Sequence, residues 1–132
     1  MDFYVKTGIA RLILLLSGFL LVTTANAAGI YRMNFDGSNV TTLVSKVTSG
    51  PIELDVGRGQ MYYLTYGRSF DHTIQRADLD GSNVTTLVRG LLMGGFALDV
   101  GGDQMYWNEW DGDVDTLHKR ANLDGLNVSE SY

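Results

Sequence analysis

Asp36-Gly-Ser-Asn-Val-Thr-Thr-Leu-Val44 occurs a second time, without any change, at positions 80–88. A degraded third copy begins at Asp124-Gly-Leu-Asn-Val-Ser129. The copies start at 36, 80 and 124, so they recur every 44 residues. A fixed period of about 20 to 50 residues is the signature of a repeat architecture. The sequence therefore predicts one unit of structure that is written about two and a half times.

The segments around these copies align at the same period. Each period holds four short runs rich in Val, Ile, Leu, Thr and aromatic residues, divided by Gly, Asp and Asn. Such runs are typical of strands joined by tight turns. We expect strands at about 30–35, 39–44, 52–56, 60–65, 73–78, 83–88, 96–100, 104–109 and 117–122, with a last one from 127. Four antiparallel strands per period predict an all-β fold made of propeller blades.

Turn chemistry and core positions follow from this strand assignment. Asp36-Gly37 and Asp80-Gly81 supply residues that tolerate positive φ or cap their own backbone, which suits the hairpin between the third and fourth strands. Large rings are expected to pack one blade on the next. The predicted inner-strand core comprises Leu54, Val56, Leu98 and Val100, and the predicted inter-blade rings are Tyr62, Tyr106 and Trp107.

The first residues of the chain have the composition of an export signal. Lys6 and Arg11 precede an apolar run at 12–22, and Ala25-Asn-Ala27 supplies the small residues that a signal peptidase reads. The run is shorter than the roughly 20 residues that span a bilayer. We expect a signal peptide at 1–27, cleaved after about Ala27, and a secreted or periplasmic repeat domain at 28–132. An uncleaved N-terminal anchor is the alternative.

Composition narrows the classes of partner. The chain has 132 residues, no Cys and a net charge of −5, with acidic residues scattered and no basic stripe. Without Cys there is no disulfide framework, so stability must come from packing and backbone pairing. The charge argues against nucleic acid as a partner. No membrane partner is expected beyond the signal segment.

The repeat resembles the YWTD, or class B, repeats of the low-density lipoprotein receptor family. The resemblance rests on Ala97-Leu-Asp99, Met105-Tyr-Trp-Asn-Glu109, Arg76-Ala-Asp-Leu-Asp-Gly81 and Thr86-Leu-Val88, in that family's order, and it covers about residues 30–128. It implies a partial propeller of the six-bladed type. The YWTD acid is missing from Tyr62-Tyr-Leu-Thr65 and is replaced in the next copy by Glu109.

Three arginines occupy the third strand of successive repeats. Arg32, Arg76 and Arg120 are expected to be partly buried, and a buried guanidinium needs an acidic partner. Glu109, Asp55 and Asp99 are the candidates, and the sequence leaves the choice open.

The chain is too short to form a closed six-bladed ring alone. Six blades at this period need about 264 residues, about twice what the chain supplies. An open arc leaves bare strand edges and an uncovered blade face. The chain is therefore a fragment, or joins other copies of itself, or is completed by a partner; of these we favour a fragment.

Candidate binding residues lie in the loops that differ between copies. Antiparallel strands place the loops between second and third strands on the same face as the linkers between blades, opposite the Asp-Gly turns. Aromatic and charged side chains on loops over a rigid scaffold suit a protein or peptide ligand. The candidate binding residues are Tyr66, Arg68, Phe70, Trp110 and Asp111. Ordinary solvated loops are the competing interpretation.

Metal binding, glycosylation and catalysis have weaker sequence signals. Asp111-x-Asp113-x-Asp115 has the spacing of a calcium loop, but Thr116 replaces its Gly and Asn122 its final Glu, so a solvated acidic turn is the better interpretation. The sequence contains N-glycosylation sequons at Asn39, Asn83 and Asn127.

His72 and His118 lack a catalytic partner at a motif spacing. We therefore expect a non-catalytic protein without metal or cofactor, and with no catalytic residues. The alternatives are a fragment of a six-bladed propeller hydrolase of the lactonase type, and a purely structural spacer array.

Overall fold

A computed structural model of the chain describes residues 2–5, 8–16, 19–24, 29–46, 49–110, 112–113 and 116–130. Thirteen strands form three antiparallel sheets, and within each sheet strands that follow one another in sequence are neighbours. The bounds are β1 Asp2–Val5, β2 Gly8–Leu16, β3 Phe19–Thr24, β4 Gly29–Asn34, β5 Thr41–Ser45, β6 Ser49–Asp55, β7 Gln60–Tyr66, β8 Asp71–Asp78, β9 Thr85–Leu91, β10 Gly94–Asp99, β11 Gln104–Trp110, β12 Thr116–Asn122 and β13 Ser129–Glu130.

We call the sheets the first blade (β1–β5), the second blade (β6–β9) and the third blade (β10–β13). The second and third blades each have the predicted four strands, and every strand predicted from residue 30 onward is present. The innermost strands β6 and β10 lie side by side, as they do around the axis of a propeller. The fold is all-β and is a partial β-propeller, as the sequence predicted.

The strand register repeats with the sequence. Gln60 pairs with Asp78 in the second blade, and Gln104 pairs with Asn122 one period later in the third. The outer pairs repeat as well, because Ile30 opposes Val44 just as Ile74 opposes Val88. The strand register is thus the same at equivalent positions of the repeat.

The first blade departs from this repeat at its inner strands. Leu64 pairs with Ile74 in the second blade, so the period predicts that Leu20 pairs with Ile30. Thr23 occupies that place instead, and β3 is displaced by three residues along β4. With β1 to β3 present, the first blade has five strands rather than the half blade that we expected. The signal peptide at 1–27 stays a prediction.

The Asp-Gly turns form as their residues require. Gly37, Gly81 and Gly125 adopt φ of 81°, 89° and 86°. Two residues later, Asn39, Asn83 and Asn127 are also left-handed, and all three sequon side chains are exposed. Asp36 Oδ1 accepts the Ser38 backbone N–H at 2.9 Å, and Asp80 Oδ1 accepts that of Ser82 at 2.8 Å. Glycine and a short polar side chain thus close each hairpin.

Two hydrophobic clusters hold the blades together. One lies between the first and second blades and contains Ile30, Val44, Ile52, Met61, Tyr63 and Ala77. The other lies between the second and third blades and contains Tyr62, Leu64, Ile74, Val88, Met93, Phe96, Met105, Trp107, Ala121 and Leu123. The first blade therefore buries one face against the second, and the second buries its other face against the third. Among the described residues, no helix is long and apolar enough to cross a membrane.

Two of the predicted core positions and one of the predicted inter-blade rings are wrong. Val56 and Val100 are 50% and 39% exposed, because each lies just past the end of its inner strand, in the turn that follows. Tyr106 is 36% exposed, whereas its counterpart Tyr62 is 1% exposed. Tyr62 faces the third blade, whereas no sheet among the described residues lies against the same face of the third blade. Leu54 and Leu98 are partly buried and Trp107 is buried, as predicted.

Candidate functional site: a loop face across two blades

Tyr66 ends β7 and begins the loop face of the second blade. Its ring is 40% exposed and meets the ring of His72 edge to face, with centroids 4.8 Å apart. His72 is buried, and its Nδ1 lies 2.9 Å from the backbone oxygen of Met93. Because that oxygen can only accept, Nδ1 must donate and the tautomer is set. His72 is therefore a support for Tyr66 and for the linker between the blades.

Phe70 stands out from the loop that follows Tyr66. A short 3₁₀ turn, Arg68–Phe70, crosses between β7 and β8, and the Gly67 N–H bonds the Asp71 oxygen at 2.9 Å. Phe70 has φ of 65° and is 62% exposed. A bulky residue at positive φ costs about 1–3 kcal/mol and persists only where surrounding contacts enforce it. Here the Phe70 backbone oxygen accepts the Leu92 N–H at 3.0 Å, which holds the backbone of the turn against the linker.

Glu109 joins the loop faces of the two blades. Its Oε1 accepts the backbone N–H of Leu91 at 3.1 Å, so the end of β11 lies against the end of β9. Its Oε2 is 3.0 Å from Lys119 Nζ and accepts the Trp107 Nε1–H at 3.4 Å. Since the Glu109 side chain is only 14% exposed, these donors together compensate a largely buried carboxylate.

Trp110 is the next residue after Glu109 and is 41% exposed. Its Nε1 donates to the backbone oxygen of Asp113 at 3.1 Å, which holds the indole over the loop that follows β11. The candidate binding residue Asp111 lies outside the described residues, as does Asp115 of the predicted acidic turn. In the part of the chain that the structure describes, no three His, Cys, Asp or Glu side chains gather as a metal site.

The structure thus brings most of the predicted residues onto one surface. We define the loop-face patch as Tyr66, Phe70, Leu91 and Trp110. Phe70 and Leu91 lie at the same end of the sheet because Asp71 pairs with Leu91, and the bond from the Leu91 N–H to Glu109 places Trp110 near that strand end. Arg68 is exposed beside Phe70, and Arg89 Nη1 lies 3.7 Å from Asp71 Oδ2 at the rim.

Sequence reasoning missed Leu91, which is 55% exposed. The available signal was the apolar pair Leu91-Leu92 within a linker between two blades. Met93 already supplies the core side chain of this linker, so packing does not require an exposed leucine beside it.

The sequence left open which acids pair with the three repeat arginines. Asp55 pairs with Arg58, and Glu109 pairs with Lys119, so these acids serve other cations than the three repeat arginines. Asp99 accepts the Gly102 backbone N–H at 2.9 Å.

The two histidines bind different partners. His118 Nδ1 lies 2.8 Å from Asn108 Oδ1 on the third blade, whereas His72 Nδ1 lies close to the Met93 backbone oxygen.

Comparison with solved structures supports the fold. The chain is similar to one chain in the crystal structure of a nidogen/laminin complex, with a TM-score of 0.79 and 19% identity, over 97% of this chain and 49% of that one. It is also similar to TolB from Agrobacterium tumefaciens, with a TM-score of 0.77 and 18% identity, over 96% of this chain and 50% of that one. A third match is an oligogalacturonate lyase in complex with manganese, with a TM-score of 0.72 and 14% identity, over 92% and 35%.

The chain therefore spans about half the length, or less, of the structures that it matches. At identities below one fifth, the likeness concerns the β-propeller fold alone. No family model matches the chain. No curated protein matches it either.

Proposed function

We propose that this chain is an exported, non-catalytic part of a six-bladed propeller of the YWTD type, and that it binds a protein or peptide through the loop-face patch. The observation that carries the proposal is the patch itself: four large apolar side chains, each 40% or more exposed, at the ends of strands from two blades. Interface centres are enriched in such aromatic anchors. Their supports, His72 and Glu109, are themselves buried or nearly so.

Rigidity favours recognition of a peptide or a protein loop. The Trp110 indole donates a hydrogen bond to the Asp113 backbone oxygen, and the Tyr66 ring packs against the buried His72. These two side chains therefore lose little conformational entropy when a ligand covers them. The exposed Arg68 and Arg89 at the rim would suit a ligand with acidic residues flanking an apolar segment. The nidogen/laminin match supports this class of function, since that fold neighbour was crystallised within a protein–protein complex.

Selection of ligands from a random peptide library displayed on phage tests the proposal. Peptides selected on the unmodified chain should lose binding at least tenfold to a Phe70→Ser, Trp110→Ser double variant. A Val40→Ser, Val84→Ser variant is the matched control, because both valines are about half exposed and lie at the Asp-Gly turns. Peptides that bind the loop variant as well as the unmodified chain would contradict a loop-face site.

The proposal that the chain is non-catalytic rests on the structural contacts of the two histidines. His72 is buried against Met93, and His118 is hydrogen-bonded to Asn108. Assays with lactone and ester substrates, run with and without a chelator, should give no turnover above background. Chelator-sensitive turnover would favour the hydrolase alternative instead.

Export is tested by sequencing the N-terminus of the protein recovered from a secreting host. We propose cleavage after about Ala27, so the mature protein should begin near Ala28. A recovered protein that still begins at Met1 would rule out a cleaved signal and would leave β1 to β3 in the first blade.

A further inference from the structure

The three Asp-Gly turns carry the same kind of triplet at the same place. The triplets are Asn39-Val-Thr41, Asn83-Val-Thr85 and Asn127-Val-Ser129, and each Asn holds a left-handed corner of its turn, with φ of 53°, 54° and 57°. The Asn and the hydroxyl residue two positions later are exposed in all three turns. Each turn therefore presents a carboxamide and a hydroxyl to solvent in the pattern of an N-glycosylation sequon.

The third copy keeps the triplet although its turn has diverged. Leu126 replaces the serine found at positions 38 and 82, so this turn has no hydroxyl beside Asp124. Ser129 replaces the threonine found at positions 41 and 85. Serine is the one residue that can replace threonine there and preserve the sequon. The third triplet is therefore more than a by-product of an exact repeat.

The middle turn has room for a modified amide in its hydrogen bonding. Asn83 Nδ2 donates to Asp78 Oδ2 at 2.7 Å. A carboxamide nitrogen carries two N–H donors, so one remains when the other is bonded to Asp78. Replacement of the second hydrogen by a sugar thus leaves the local bond in place.

Exposed valines lie beside the modifiable amides. Val40, Val84 and Val128 are the central residues of the triplets and are 53%, 48% and 50% exposed. Val84 belongs to the second blade, which packs against a sheet on both sides, so its exposure does not come from a missing neighbour. Val56 and Val100, in the inner turns at the same end of their sheets, are also exposed. An apolar surface that recurs in this way suits a cover.

The triplets lie at the opposite end of the sheet from the loop-face patch. Gln60 pairs with Asp78 beside the middle turn, whereas Tyr66, at the other end of β7, belongs to the patch. Six residues of a strand span about 20 Å. A group attached to Asn83 therefore leaves the patch open.

We propose that Asn39, Asn83 and Asn127 carry N-linked oligosaccharides, which cover the exposed valines of the turns and leave the loop-face patch to its ligand. The donor is a lipid diphosphate-linked oligosaccharide. A bond forms between Nδ2 and C1 of the first sugar, the bond from C1 to the diphosphate oxygen breaks, and the amide gives up one proton as the lipid diphosphate leaves. The proposal rests on the export proposed above, because this transfer takes place in the secretory compartment.

Mass spectrometry of the full chain, secreted by a eukaryotic host, tests each site. Digestion with a peptide N-glycosidase in heavy-oxygen water converts every glycosylated Asn to labelled Asp. We expect label at Asn39, Asn83 and Asn127, and none at Asn122, which lies beside the third turn but outside any sequon. Secreted chains without label at the three sites would overturn the proposal.

Failure of export and failure of glycosylation are scored separately. The N-terminus of the recovered chain reports whether residues 1–27 act as a cleaved signal. A second version carries the host's own leader ahead of Met1, so it enters the secretory compartment whether or not the natural leader works. Label in this version supports the modification even if the natural leader fails. Absence of label overturns it even if the natural leader is cleaved.

Two substitutions of Thr85 test the sequon in the middle turn. Thr85→Ala and Thr85→Ser both keep Asn83 and Asp78, and they differ from each other by the hydroxyl that the sequon requires. Thr85→Ala should reduce the label at Asn83 at least tenfold, with the other two sites unchanged. Thr85→Ser should keep the label. Equal loss in both variants would overturn the sequon assignment.

Binding of the dye ANS tests whether the oligosaccharides cover the valines. ANS reports exposed apolar surface, so its fluorescence should rise at least twofold when the oligosaccharides are removed enzymatically. A Val40→Ser, Val84→Ser, Val128→Ser variant keeps all three sequons and is the matched control, for which we expect no such rise. No rise with the valines present, or an equal rise in the serine variant, would overturn the covering role.

Discussion

Glu109 Oε1 lies 3.1 Å from the backbone nitrogen of Leu91 and ties the end of β11 to β9 across a blade boundary. Replacing Glu109 by Ala removes the acceptor of this N–H and the charge opposite Lys119. We expect a loss of about 1–3 kcal/mol in the free energy of unfolding, measured by urea denaturation. Glu109→Gln keeps an acceptor and should lose less. An unchanged midpoint for Glu109→Ala would show that the bond does not stabilise the boundary.

Gly90 should be coupled to Glu109. A Cβ at Gly90 would lie 2.6 Å from Glu109 Oε1, so Gly90→Ala must displace the carboxylate. We expect Gly90→Ala to destabilise the unmodified chain by about 1–3 kcal/mol and the Glu109→Ala chain by clearly less. A double-mutant cycle of unfolding free energies measures the difference. Strictly additive effects would mean that the two residues act independently.

Arg58 links two blades through unequal partners. Its Nη1 lies 2.8 Å from Asp55 Oδ2, whose side chain is 1% exposed, and its Nη2 lies 2.9 Å from Asp103 Oδ1, which is 62% exposed. Arg58→Ala leaves a buried carboxylate with less compensation and should cost about 1–3 kcal/mol of unfolding free energy. Asp103→Asn should cost less than about 1 kcal/mol, because that pair is solvated. Equal losses would contradict this ranking.

Tyr63 carries a buried hydroxyl that has no hydrogen-bond partner among the described residues. Burial raises its pKa to about 12. Tyr63→Phe removes this uncompensated group, so the free energy of unfolding should rise by about 1 kcal/mol or stay unchanged. Tyr62→Phe is the control within the same strand, because the Tyr62 hydroxyl donates to Gln60 Oε1 at 3.1 Å and its loss should destabilise the fold. A destabilised Tyr63→Phe would imply an acceptor for its hydroxyl.

The Asp-Gly turns should contribute to acid sensitivity. Hydrogen bonds from the side chains and backbone N–H groups of Ser38 and Ser82 lower the pKa of Asp36 and Asp80 below the ordinary value of 3.8. A carboxyl with a depressed pKa in the folded state stabilises the fold fully above its unfolded pKa and loses that effect as pH falls through its folded pKa. An Asp36→Asn, Asp80→Asn variant should therefore show a shallower fall in stability below about pH 4. Identical pH profiles would contradict the assignment.

Much of the fold was predictable because the repeat constrains local and long-range structure together. Asp36-Gly37 and its copies adopt the left-handed turn that those residues favour, and the register of Gln60 with Asp78 recurs one period later. Propensity, turn chemistry and periodicity agree at these positions, which is the condition for a reliable prediction.

The features that could not be predicted depend on which blade packs against each residue. Tyr62 and Tyr106 hold equivalent positions, but within the described residues a sheet covers Tyr62 and none covers Tyr106. Val56 and Val100 read as core residues from composition, and a shift of one residue past the strand end puts them in solvent. The support of Tyr66 by His72 and the link from Glu109 to Leu91 join residues that no spacing rule relates.

The identity of 36–44 with 80–88 also bears on how the chain reaches its native state. Because the backbone partners of Ile30 and Ile74 are interchangeable in sequence and geometry, an outer segment finds an equally good place one whole module away. Such a slipped topology makes the correct ladder bonds, so backbone pairing alone cannot reject it. The correct pairing must therefore be selected by side chains that differ between modules. In the third blade these include Glu109, Asn108 and His118.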